Sequence, residues 1–143
     1  MDGTAPDPLR LENQLCFPLY ACSRQVVKKY RPYLEELDLT YTQYITMMVV
    51  WEEKTVSVKR LGERLFLDSG TLTPLLKSLE SKGYVKRHRS GEDERVLLVE
   101  LTEKGEALKE RARPIPEKMA GCVTLEPAEA MELYRLLYKL LEA

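Results

Sequence analysis

Four leucines at helical spacing, Leu72, Leu75, Leu76 and Leu79, run through the segment TLTPLLKSLESKG, and Gly83 stands where a helix C-terminal cap belongs. Two short runs rich in β-formers follow at once, YVKRHR and VLLVEL, joined by the polar SGEDER; this predicts a β-hairpin with a charged tip. Upstream, Ser57 is placed to cap a short helix over VKRLGERL, and FLDSG supplies a turn before the leucine helix. Helix, turn, helix and hairpin are thus compressed into one short window, which leaves few ways to build a core.

That order is the winged helix-turn-helix order, and in such a motif the second helix enters the DNA major groove with its N-terminal residues against base edges. Those residues are Ser69, Gly70, Thr71 and Thr73, with Lys77 one turn on. Small side chains allow close approach, hydroxyls bond phosphates or bases, and free N–H groups at a helix start favour a phosphate. In the hairpin, Lys86, Arg87 and Arg89 suit phosphate contacts, Arg95 near the tip suits a narrow minor groove, and Asp93 or Glu94 is expected to orient an arginine. The formal net charge of -1 argues, taken alone, against a nucleic-acid binder. It conceals an asymmetry: from Lys54 to Arg89 nine Lys and Arg face three acids, so this window is +6 and the remainder -7. His88 is the only histidine; with no neighbouring ligands it reads as an exposed strand residue, and no metal or other cofactor is expected.

The flanks are helical in pattern. Residues 9–30 form one amphipathic stretch in which Pro18 predicts a kink or a late helix start beside Cys16, and Pro32 with ELDLT punctuates the chain. TQYITMMVVWEE, 42–53, is a strongly apolar helix, Thr102 caps another over TEKGEALKERAR, Pro114 and Pro116 interrupt, and a last helix starts near Pro127 with Leu133, Leu136, Leu137, Leu140 and Leu141 on a broad apolar face. The expectation is therefore a mainly α chain with a small β-hairpin wing, a single domain over 1–143. N-terminal helices (9–53) and C-terminal helices (103–143) would flank a winged core (54–102). These flanks carry more apolar surface than the winged module can cover, so a homodimer is the natural place to bury it. The chain has no run of eighteen apolar residues, and MDGTAPDPLR has neither a basic nor an apolar leader region. A cytoplasmic protein with no membrane partner is expected, and its three cysteines do not form a secreted disulfide framework.

In LENQLCFPLYACSRQ, Cys22 shares a stripe with Leu15, Leu19 and Val26, whereas Cys16 falls on another with Tyr20 and Val27. On a regular helix the two thiols lie roughly 9 Å apart in rise and about 120° apart in rotation, so they are not a local disulfide pair. Cys22 reads as a small hydrophobe. The helix alone leaves Cys16 open between packing group and reactive thiol.

The segments LENQLCFPLY (11–20), DLTYTQY (38–44), LDSGTLTPLLKSLE (67–80) and DERVLL (93–98), with the Asp93 to Thr102 arrangement DERxxxxxLT, resemble the MarR family of dimeric winged-helix regulators. More narrowly they resemble its organic-hydroperoxide-sensing repressors, the OhrR type. The resemblance spans nearly the whole chain and implies a non-enzymatic repressor that holds double-stranded operator DNA until Cys16 is oxidised. It implies that Cys16 is the peroxide-sensing thiol, that Tyr30 and Tyr41 reach its sulfur from the partner subunit, and that Tyr20 is a pocket aromatic. Leu15, Phe17 and Tyr20 around Cys16 favour an organic hydroperoxide. The sulfenic acid would then condense with a thiol. One branch of the family uses a low-molecular-weight thiol, the other a cysteine before the last helix, where Cys122 stands; an intersubunit Cys16 to Cys122 disulfide is the favoured reading. Pro18 departs from the family pattern. Two rival readings are a MarR-type regulator answering to a small aromatic ligand, and a thiol peroxidase, which the absence of Cys-x-x-Cys disfavours.

Overall fold

The computed structural model describes residues 7–143; residues 1–6, part of the MDGTAPDPLR stretch, lie outside the described residues. A 3₁₀ turn (Leu11–Asn13) precedes α1 (Cys16–Glu35) and α2 (Tyr41–Glu53); β1 (Thr55–Ser57), α3 (Val58–Leu65), α4 (Ser69–Ser81), β2 (Val85–Arg89), β3 (Leu97–Leu101) and α5 (Glu103–Ala112) follow, then α6 (Ile115–Ala120) and α7 (Pro127–Leu141). The chain divides into two compact units, Met1–Arg113 and Pro114–Ala143. The described helices include none long and apolar enough to cross a membrane.

The first unit is organised around α2. Its start is a reciprocal capping box: the Gln43 N–H donates to the Thr40 hydroxyl while the Thr40 N–H donates to the Gln43 side chain. Apolar residues lie all round the helix, which suits a central one, and Tyr44, Met47, Val49, Val50 and Trp51 are buried. α3 starts at the Ser57 cap, whose hydroxyl accepts the Arg60 N–H at 3.0 Å. α4 starts at Asp68, whose carboxylate accepts the Thr71 N–H at 2.7 Å. The turn between them is therefore only 66–68, shorter than FLDSG, because the Asp68 cap draws Ser69 and Gly70 into the helix. Gly62 is required here, since a Cβ would stand 2.7 Å from the Leu67 carbonyl oxygen.

Leu72, Leu75, Leu76 and Leu79 are all buried beneath α4, each contributing about 1.5–3 kcal/mol of burial. The helix ends as expected at Gly83, φ 86°, with the Gly83 N–H donating to the Glu80 carbonyl and the Tyr84 N–H to that of Leu79. The expected hairpin pairs β2 with β3 antiparallel, Arg87 opposite Val99.

Three features differ from the sequence reading. The sheet has a third strand, in the order β1-β3-β2, with Val56 opposite Val99; three residues carry too little alternation to announce a strand. α1 runs past Pro32 to Glu35, because Leu34 is buried and Tyr30 is clasped by α2, so tertiary contacts outweigh one lost hydrogen bond. α6 occupies the stretch read as interrupted: Pro114 and Pro116 flank its first residue, where a missing N–H costs nothing. Of the two outcomes offered for Pro18, the late start is the one found, with the proline in the first turn of α1 and Cys16 opening it.

One junction joins the helices to the wing. The Thr102 hydroxyl donates to the Gly83 carbonyl at 2.6 Å and accepts the Gly105 N–H at 3.0 Å. The buried Trp51 indole N–H donates to the Gly105 carbonyl at 2.8 Å. A Cβ on Gly105 would lie 2.2 Å from the Tyr84 carbonyl oxygen. Gly105→Ala is accordingly expected to cost at least about 2 kcal/mol of unfolding free energy by forcing α5 off β2; a urea midpoint equal to wild type would show that the contact yields freely.

Candidate DNA interface and sensor pocket

The outward face of α4 carries the residues singled out by sequence. Ser69, Gly70, Thr71, Thr73 and Lys77 are exposed while the leucines point inward. The Thr73 hydroxyl donates to the Ser69 carbonyl at 2.8 Å, which fixes its rotamer. The Asp68 carboxyl is held below its ordinary range chiefly by the Thr71 N–H, so the cap keeps its charge and the helix start keeps its register.

The wing separates its four cations. Arg95 is 91% exposed and projects from the tip, its guanidinium paired with the Asp93 carboxylate at 3.1 Å, and the Arg95 N–H also donates to that carboxylate at 3.0 Å. Asp93, rather than Glu94, is thus the acid that orients an arginine, and Arg95 holds its carboxyl below the ordinary range. Lys86 and Arg89 are exposed on the strand. Arg87 differs: its guanidinium meets Glu80 of α4 at 3.1 Å, and its backbone N–H donates to the same carboxylate at 2.7 Å. That pairing lowers the Glu80 pKa and ties the wing to the reading helix, a role that sequence spacing did not reveal. His88 is exposed, with Nε2 3.2 Å from Glu100. Among the described residues no group of three or more His, Cys, Asp or Glu is placed to hold a metal ion.

A second constellation joins α1 to α2. Tyr30 and Tyr41 lie with ring centroids 5.0 Å apart, and Tyr44, not singled out by sequence, completes the cluster at 5.8 Å from Tyr30 and 6.3 Å from Tyr41. The i, i+3 spacing of Tyr41 and Tyr44 on one helix face is the signal that would have found it. Burial raises all three pKa values, that of Tyr44 to about 12, so the phenols stay protonated as donors. No hydrogen bond links their hydroxyls to another described residue.

Cys16 is not part of this cluster within one chain. It opens α1, and the fourteen residues to Tyr30 span roughly 21 Å of helix. Tyr20 accepts a hydrogen bond from Arg24 at 2.8 Å, and the guanidinium also sits 5.6 Å from its ring centre. Cys16, Cys22 and Cys122 are all exposed. Cys22 is therefore not packed inside its own chain, and the rest of its stripe, Leu15, Leu19 and Val26, is exposed with it. Cys122 follows α6 in the other unit, its thiol 3.7 Å from the Lys118 carbonyl oxygen.

A capped reading helix, an arginine-tipped wing strapped to it and a flanking helix layer define a winged helix-turn-helix protein. The family model for the transcriptional regulators SarA/Rot matches residues 28–112. The organic hydroperoxide resistance transcriptional regulator of Bacillus subtilis is 49% identical over 136 residues, covering 95% of this chain and 92% of its own. Among solved structures, reduced AbfR bound to DNA superposes with a TM-score of 0.79 at 35% identity, over 94% of this chain and 93% of that one. The disulfide form of AbfR, a protein of Staphylococcus epidermidis, gives 0.66 at 38% identity, over 93% of each. The chain belongs to this family, the SarA/Rot and organic-hydroperoxide branch of the MarR-type winged-helix transcriptional regulators.

The tyrosine cluster carries a pH signature. The folded protein holds the Tyr44 proton more tightly than an unfolded chain does, so this stabilisation is complete below the ordinary tyrosine value of 10.0 and is lost as pH rises through about 12. Tyr44→Phe is expected to flatten the alkaline loss of stability, read as urea midpoints at about pH 9 and about pH 11; equal alkaline slopes in both proteins would detach Tyr44 from it.

Proposed function

We propose that this regulator binds a pseudo-palindromic operator as a homodimer while Cys16 is reduced, and lets go when an organic hydroperoxide oxidises Cys16. The observation that carries this reading is the separation on α1. A reactive-thiol candidate stands exposed at one end and three protonated phenols, with no hydrogen bond to another described residue, cluster near the other, too far apart to meet in one chain. An antiparallel second copy brings Cys16 to Tyr30 and Tyr41 of the partner subunit. The apolar stripe of α1 and that of α7, with Leu133, Leu136, Leu140 and Leu141 exposed, supply the surface that such a dimer buries. Leu15, Phe17 and Tyr20, all exposed beside Cys16, offer apolar company for the oxidant.

The chemistry is stoichiometric rather than catalytic. The Cys16 thiolate attacks a peroxide oxygen, an S–O bond forms as the O–O bond breaks, and the alkoxide leaves and takes up a proton. The sulfenic acid then condenses with a thiol, releasing water; Cys122 of the partner subunit fits this role, and a low-molecular-weight thiol is the other donor. On the DNA side Ser69, Gly70, Thr71, Thr73 and Lys77 read the major groove, Lys86 and Arg89 meet phosphates, and Arg95 enters the minor groove. Arg87 acts there by holding the wing on α4. The chain works as one functional unit in the cytoplasm, beside the operator it reads.

The test is retention of operator-length duplex during titration with an organic hydroperoxide, without added thiol, comparing wild type, Cys16→Ser and Cys122→Ser. Release by wild type alone identifies the intersubunit disulfide as the switch. Release by wild type and Cys122→Ser but not Cys16→Ser leaves Cys16 as the sensor with a sulfenic acid or small-thiol adduct sufficient. Retention by all three sinks the redox reading and points to a small-ligand regulator. On the DNA side, Arg95→Ala is expected to weaken binding by about 1 kcal/mol or more with its oxidation rate unchanged; an unaltered affinity would take Arg95 out of the interface.

A further inference from the structure

Gln43 is a buried polar side chain whose every polar atom is engaged, and its partners lie on the reading helix. It donates through Nε2 to the Ser78 hydroxyl on α4 at 3.0 Å. Its Oε1 accepts the Thr40 N–H at 3.1 Å and the Lys82 ammonium, at the C-terminal cap of α4, at 3.2 Å. The same ammonium donates to the Asp38 carbonyl and lies 3.6 Å from the Asp38 carboxylate. Asp38 itself sits at φ 55°, a left-handed conformation that aspartate tolerates better than most non-glycine residues. The segment 38–43 is thus strapped to one end of α4 by a short polar network.

That segment also carries half of the tyrosine cluster. Tyr41 is the first residue of α2 and Tyr44 lies one turn on, both facing Tyr30, while Gln43 between them faces α4. A first helical turn closed by its own capping box moves as a piece. Any displacement of Tyr41 and Tyr44 is therefore delivered through Gln43 to Ser78 and Lys82, and α4 carries it along about 8–20 Å of rise to the groove-facing residues Ser69 to Thr73. We infer that Gln43 is the positioning residue that couples the phenol pocket to the reading helix, with Ser78 and Lys82 as its receivers. Apolar packing between α2 and α4 holds the two helices together whatever the side chain at 43; the polar network adds a fixed register, which is what a signal needs. This inference rests on Cys16 being the sensor.

The experiment uses full-length dimer, an operator duplex selected by the reduced wild-type protein from a random-sequence library, and cumene hydroperoxide. Three quantities are read for wild type, Gln43→Leu and Ser78→Ala: the rate of Cys16 oxidation by intact mass, DNA affinity before and after oxidation, and amide exchange in 78–82. Gln43→Leu is expected to oxidise at the wild-type rate while its oxidation-induced loss of affinity shrinks by about tenfold. The exchange change that oxidation produces at 78–82 in wild type should vanish with it. Ser78→Ala, which leaves Gln43 its other two partners, should show the same uncoupling to a smaller degree.

If Gln43→Leu is too damaged to bind DNA when reduced, Ser78→Ala decides, and full wild-type release by it overturns the relay. Oxidation and release by Gln43→Leu indistinguishable from wild type overturn the relay while leaving Cys16 as sensor. Wild-type protein that oxidises without releasing DNA, or does not oxidise, overturns the sensor reading and the relay together.

Discussion

One hydroxyl sets the geometry on which the placement of α4 and the wing depends. Thr102 closes the end of α4 and the beginning of α5 at once, donating to the Gly83 carbonyl and accepting the Gly105 N–H. Because β3 ends where Thr102 begins, the wing, the reading helix and the helix that backs them share a single hydrogen-bonded corner. Trp51 adds α2 to the same corner through the Gly105 carbonyl. A half-buried junction whose hydrogen bonds join distant elements favours one arrangement over others, and so helps a small core to specify the orientation of the wing. Glu80 and Arg87 then hold the hairpin against α4 from the other side.

Around that corner the molecule divides rigid from available surface. The core residues of the first unit are enclosed by α2, α4 and the sheet, whereas most of α1 and the apolar face of α7 lie open. Polar groups follow the same division. Asp68, Glu80 and Asp93 all sit below the ordinary carboxylate range because each serves a backbone N–H or an arginine next to it, and each fixes a part of α4 or the wing. The phenols of Tyr30, Tyr41 and Tyr44 go the other way: burial raises their pKa values and holds them protonated.

Much of this was legible in the residues. Ser57, the leucines at 72, 75, 76 and 79, Gly83 and the paired β runs each obey a local rule, and local rules agreed with one another across that window. What stayed hidden depends on contacts distant in sequence. β1 is three residues long and exists because β3 offers it an edge. Pro32 reads as a stop, yet the packing of Leu34 and Tyr30 carries α1 beyond it. Arg87 looks like its neighbours Lys86 and Arg89 until Glu80 is found beside it, since strand alternation alone does not say which face meets a carboxylate seven residues upstream. The cysteines were legible only by likeness to a family. Cys16 stands exposed and bears no local mark of reactivity.

The open stripes of α1 and α7 have a consequence for how such a regulator behaves in a cell. Where a large part of the apolar surface is covered only by a second copy, folding free energy acquires a dependence on protein concentration. A dilute population is then a less stable one, and newly made chains become reliable DNA binders only once they are numerous enough to find each other. Abundance would set the threshold at which repression begins, independently of how much oxidant is present.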